Sequence, residues 1–138
     1  MEAKFYHSIS NDINEIEALT SLLIDFGTKN NIPEKIINTF NIAFDELISN
    51  TIFYGFDKLQ NGIVQIEMTL TNNLLVACII DNGNAFDPFN APEPDLESDA
   101  ETKKIGGLGI HIVKNMMDEM TYEFKNNENR VTLKKKIK

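Results

Sequence analysis

The apolar pattern predicts an α+β fold, a two-layer sandwich whose mixed, mostly antiparallel sheet carries helices on one face. Three observations lead there. The elements run β-α-α-β-β-α-β-β, two strand pairs are joined through short Asn-rich turns, and the helical stretches are amphipathic. At 138 residues the chain can bury a core without staples, so a single domain over 1–138 is expected.

Residues 3–9 hold Phe5, Tyr6 and Ile9 in a strand-like run, and Ser10, Asn11 and Asp12 offer capping oxygens to a first helix. Ile13, Ile16, Leu19, Leu23 and Phe26 recur at helical spacing in it, with Gly27 near its end. Pro33 suits the first turn of a second helix, where its missing N–H is not needed. That helix carries Ile36, Ile37, Phe40, Ala43, Phe44, Leu47 and Ile48 and runs to about Tyr54, before Gly55. Val64, Ile66, Met68 and Leu70 then alternate, Asn72-Asn73 turns the chain, and Leu74–Ile80 reads as a buried strand. Residues 84–107, with Pro88, Pro92 and Pro94 among Asn and acidic residues, form a loop of a length tied to function or disorder. A third helix is expected over 108–118, followed by a closing hairpin that turns around Asn126–Asn129. Met116, Met117 and Met120 read as core at helical spacing, and Cys78 as core filler inside its apolar strand.

Thirteen basic against 21 acidic residues leave a net charge of −8, which argues against nucleic acid or an anionic membrane as partner. One cysteine cannot form an internal disulfide, the N-terminal residues do not read as a signal peptide, and no stretch is apolar enough for a span. A cytoplasmic protein is the expectation. Neither His7 nor His111 has the surroundings of a phosphoacceptor, and Lys134-Lys135-Lys136-Ile137-Lys138 reads as a solvated strand end.

Three islands could carry chemistry. Glu46 and Asn50, four residues apart, project from one helix face, and an amide oxygen beside a carboxylate is a seat for Mg²⁺. Taken alone, the pair reads rather as two surface polar residues on an otherwise apolar helix. Asp81-Asn82-Gly83 follows the most apolar strand; its Asp could accept from an exocyclic amine, and Gly83 would admit a flat ring, although Asp-Asn-Gly is also ordinary turn chemistry. Gly106-Gly107-Leu108-Gly109 opens a helix, whose N–H groups and dipole favour phosphate, or else forms a plain hinge. Walker and dinucleotide motifs are missing from the sequence.

Taken together, the helix E-x-x-x-N, the strand-end D-x-G, the long loop and the G-G-x-G helix start resemble the ATP site of the GHKL, or histidine-kinase-like, ATPase superfamily. The wording Asp81-x-Gly83-x-x-Phe86-Asp87-Pro88, with Gly106-Gly107-Leu108-Gly109-Ile110 and Met117-Asp118-Glu119, is most similar to its stand-alone anti-sigma regulatory kinases. The resemblance implies a serine/threonine protein kinase using ATP and Mg²⁺. It would phosphorylate a STAS-domain antagonist, sequester a sigma factor, or both, as a homodimer. It implies Glu46 as general base and Asn50 as Mg²⁺ ligand. Asp81 would bind the adenine amine with Gly83 beside the ring, and Phe86, Lys104, Gly106, Gly107, Leu108 and Gly109 would complete the nucleotide site. Residues 90–105 would be a lid whose end, with Lys103 and Lys104, reaches toward the terminal phosphates. The chain departs from the family at Tyr54, where a His is frequent, and at Asn129-Arg130, where a Thr usually supports adenine. Two other readings are a nucleotide-gated adaptor that no longer transfers phosphate and a detached ATPase domain of a histidine kinase.

Overall fold

The computed structural model describes residues 2–56, 61–90 and 105–137. In chain order these form β1 (Glu2–Ser10), α1 (Glu15–Lys29), α2 (Glu34–Asn50), β2 (Ile63–Thr71), β3 (Leu74–Asp81), α3 (Ile105–Met116), β4 (Glu119–Lys125) and β5 (Glu128–Lys136). The five strands make one sheet in the order β1-β2-β3-β5-β4, and every neighbouring pair runs antiparallel. The parallel pairing that a mixed sheet would allow does not occur among them. One sheet face packs on the helices through Val64, Ile66 and Met68 of β2, Leu75, Ala77 and Ile79 of β3, and Val131 and Leu133 of β5. Phe40 and Phe44 of α2, fully buried with ring centroids 6.1 Å apart, form the middle of that core.

Several boundaries differ from the sequence expectation, each for a local reason. The first helix does not begin at Ser10–Asp12. Asp12 Oδ1 instead accepts from the Asn14 N–H at 2.9 Å, and Glu15 reaches back to take both the Ser10 N–H and its hydroxyl. Pro33 stands just before α2 at its N-cap position, not within its first turn. Gly27 lies inside α1, where a Cβ would overlap the Ile37 side chain, so it marks where α1 and α2 touch. The second helix stops its regular winding at Asn50 and continues as a π-helical turn over Thr51–Gly55. The third helix starts at Ile105 and ends at Met116, because Asp118 is drawn into the sheet. Its N–H donates to Lys134 O at 3.0 Å, and its carboxylate accepts from Lys136 N at 2.6 Å.

Three side chains were misplaced by pattern alone. Cys78 sits on the sheet face away from the helices, half-buried beside Glu67 and Thr132, and is not core filler. Met120 packs half-buried against the core as expected, but from β4 and not from a helical methionine stripe; Met117 is buried in the core. Lys135 is not simply solvated: its ammonium donates to Met116 O at 2.7 Å, tying the C-terminal end of α3 to the sheet. The last turn is shorter than expected, with Asn126 and Asn127 both at positive φ and β5 starting at Glu128. That places Asn129 in the ladder, directly opposite Asp81.

Candidate functional site

The end of β3 brings Asp81 into the interior, where it is 5% exposed beside Asn129 at 3%. These are two of the three polar residues buried among the described part of the chain, an arrangement that needs full hydrogen bonding to be tolerated. Asp81 Oδ1 accepts from the Gly83 N–H and from Asn129 Nδ2, each at 2.9 Å. Burial pushes the Asp81 carboxyl above its ordinary range; the Asn129 and Gly83 donors oppose this, and Glu128 adds to it.

Asp81 and Asn129 line a narrow cleft with Leu47, Asn50, Thr51, Ile79, Phe86, Pro88 and Val131, whose free volume of about 10 Å³ is that of a single water. Apolar side chains and polar groups from three elements line it together. Gly83 does not line it. A Cβ there would lie 2.6 Å from the Gly55 carbonyl oxygen, and the next N–H, of Asn84, donates to that same oxygen at 2.8 Å. Gly83 thus lets the loop dock on the π-helical turn that ends α2. Phe86 is placed by its backbone N–H, which donates to Asn129 Oδ1 at 3.1 Å. Lys114 of α3 secures the chain further on, donating to Phe89 O at 3.0 Å.

Asn50 joins the cleft to the second polar island. Its Nδ2 approaches Glu46 Oε1 at 3.4 Å, one helical turn back, as the spacing predicts. Glu46 is half-buried against α3: a Cβ at Gly109 would overlap its carboxylate, so only glycine allows this approach. Burial raises the Glu46 carboxyl above its ordinary value, with the Asn50 amide lowering it and Asp45 raising it further. Gly106, Gly107 and Leu108 lie in the first turn of α3, where helix N–H groups have no internal acceptor. Lys103, Lys104 and almost all of the expected lid, residues 90–105, lie outside the described residues.

A model of the histidine kinase-like ATPase domain matches residues 9–135. The chain belongs to that family. It is 29% identical over 109 residues to a protein named anti-sigma F factor from Clostridium beijerinckii, covering 73% of this chain and 71% of that one. It is 30% identical over 88 residues to the serine-protein kinase RsbW of Listeria monocytogenes, 61% of this chain but 56% of that one, less than two thirds of its length. Among solved structures, one containing the RsbU and RsbW domains of a Mycobacterium tuberculosis protein superposes on 98% of this chain with a TM-score of 0.71. It is 13% identical and is covered over 32% of its length, which establishes the shared fold.

Each of the three islands therefore has a physical place. Glu46, Asn50 and Gly109 meet; Asn50, Asp81 and Phe86 share the cleft; Gly83 supports the cleft from behind. Sequence reasoning left Asn129 and Tyr122 without a role, although Tyr122 donates its hydroxyl to Asn129 Oδ1. The signal was the Asn at the expected Thr position, which is informative only once the register opposite Asp81 is known. Among the described residues no helix is long and apolar enough to cross a membrane.

Proposed function

We propose that this chain is an ATP- and Mg²⁺-dependent serine/threonine protein kinase of the anti-sigma type. The observation that carries the reading is the position of Asn50, which lines the Asp81 cleft and also contacts Glu46, making one continuous site from base to phosphate. Asp81, its Oδ1 already taken, offers Oδ2 to the exocyclic amine of adenine. The first turn of α3, with Gly106 and Gly107, offers the phosphates helix N–H groups that have no internal acceptor, whereas the Gly109 N–H lies a full turn in and bonds within the helix.

A Mg²⁺ ion fits the donor set. Asn50 keeps its amide oxygen for a hard cation while its nitrogen faces Glu46, and Mg²⁺ takes few protein ligands beside water and phosphate. When bound, the ion neutralises phosphate charge. Glu46 accepts the proton of the attacking serine hydroxyl as the new P–O bond forms and the bond to the leaving diphosphate breaks with its electrons. Its raised pKa makes it a better base than an exposed glutamate.

The names of the relatives, an anti-sigma F factor and a serine-protein kinase, support a protein substrate and a sigma factor as partner; the STAS-domain antagonist and the homodimer rest on the resemblance of the sequence motifs alone. Affinity capture with and without Mg-ATP, followed by phosphosite mapping of what binds, tests this. Serine phosphorylation of a captured partner supports the kinase. Nucleotide-dependent capture without phosphorylation replaces it with a non-catalytic adaptor.

A further inference from the structure

Asn129 is saturated by the protein. A primary amide has two N–H donors and a carbonyl with two acceptor sites. Nδ2 donates to Asp81 Oδ1 and to Asn84 O, both at 2.9 Å, with Gly83 O further off at 3.5 Å. Oδ1 accepts from the Phe86 N–H and from the Tyr122 hydroxyl. Flipping the amide would set its carbonyl against the Asp81 carboxylate and its NH₂ against the Phe86 N–H, so the four partners fix its orientation. Nothing is left for a ligand. Asn129 can act only through what it holds, and it holds the Asp81 carboxylate and the backbone on either side of residue 85.

We propose that Asn129, locked by Tyr122, is a positioning residue that pins Asp81 with Oδ1 occupied and Oδ2 as the single acceptor presented to the base. It thereby sets the selection for a purine bearing a 6-amino group. Two donors on one oxygen stop the carboxylate from rotating, so a 6-amino group meets an acceptor held in place, while a 6-oxo group sets its own lone pairs against those of Oδ2. Phe86, which lines the same cleft, is held by the same amide, so base contact and cleft wall are set together.

This inference rests on the nucleotide-binding reading above, and the test separates the two. Titration calorimetry compares ATP with inosine triphosphate, which differs in carrying oxygen at the 6-position, in wild type, Asn129→Ala and Tyr122→Phe, with thermal unfolding of each. Wild type prefers ATP. Asn129→Ala weakens ATP by about tenfold, the loss of a well-placed hydrogen bond to a charged group, and leaves inosine triphosphate nearly unchanged. Tyr122→Phe, which removes one hydroxyl from a partly exposed side chain, narrows the preference in the same direction and covers the case in which Asn129→Ala does not fold. Equal weakening of both nucleotides would make Asn129 a structural clamp alone and overturn the inference, as would an unchanged preference in both variants. A wild type that binds neither nucleotide overturns the nucleotide-site reading itself.

Discussion

Replacing Asp81 by Asn separates binding from stability, because the same carboxylate serves one and burdens the other. The substitution keeps an oxygen where the Gly83 N–H and Asn129 Nδ2 donate, so the loop stays docked. It puts NH₂ in place of Oδ2, turning an acceptor into a donor in front of the adenine amine. Losing a charge-assisted hydrogen bond removes about 1.5–3 kcal/mol, so the ATP dissociation constant should rise roughly ten- to a hundredfold. Stability should move the other way. Burial raises the Asp81 pKa, so its contribution to stability is complete below the unfolded-state pKa and is lost as pH rises through the folded value. Asn carries no charge at any pH. Its melting temperature should therefore exceed that of wild type at pH 7, and the gap should close as pH falls toward about 4, the ordinary aspartate value. Calorimetry with Mg-ATP and thermal unfolding at both pH values measure the two effects. Unchanged ATP affinity, or a variant less stable than wild type at pH 7, would refute the reasoning.

Gly109→Ala should fold, because the group it displaces is the flexible end of Glu46, but phosphoryl transfer should fall by about a hundredfold through misplacement of that carboxylate. Near-native melting with slow transfer checks it; a native rate would show that Glu46 need not lie against α3. The rate of transfer should fall on the acid side through a pKa above the ordinary glutamate value of 4.5, since burial raises Glu46, and a pH–rate profile measures where. Lys135→Met should lower the melting temperature without changing the ATP dissociation constant, because its ammonium bonds the Met116 carbonyl at the end of α3 remote from the nucleotide, and unfolding scans read the shift.

The sequence carried most of the fold because the strands of the first hairpin alternate and the helices keep their apolar stripes: Val64, Ile66 and Met68 are all buried, as are Phe40, Ala43, Phe44, Leu47 and Ile48. It misread Cys78 because Leu74–Ile80 is apolar on both faces, which hides the period of two that the register reveals. The nearness of Glu46 to Asn50 and the strand-end place of Asp81 were legible, because spacing along a helix and the end of an apolar strand suffice to place them; Phe86 entered through the resemblance alone. Gly83 and Gly27 were legible as glycines but not in role, since what each makes room for, Gly55 O and Ile37, comes from another element. Asn129 and Tyr122 were illegible for the same reason. Their meaning depends on a pairing 48 residues apart, between Asp81 and Asn129, that no local pattern encodes.

The central claim is that Glu46 is the base of a kinase whose nucleotide sits between Asp81 and α3. It is tested most directly by following transfer of the γ-phosphate from labelled Mg-ATP to the captured partner, by wild type and by Glu46→Gln, with nucleotide affinity measured alongside. Wild type should label a serine of the partner. Glu46→Gln should bind Mg-ATP with an affinity close to wild type and transfer about 10²–10⁴-fold more slowly, because an amide cannot take the hydroxyl proton. Equal rates from the two proteins would contradict the claim.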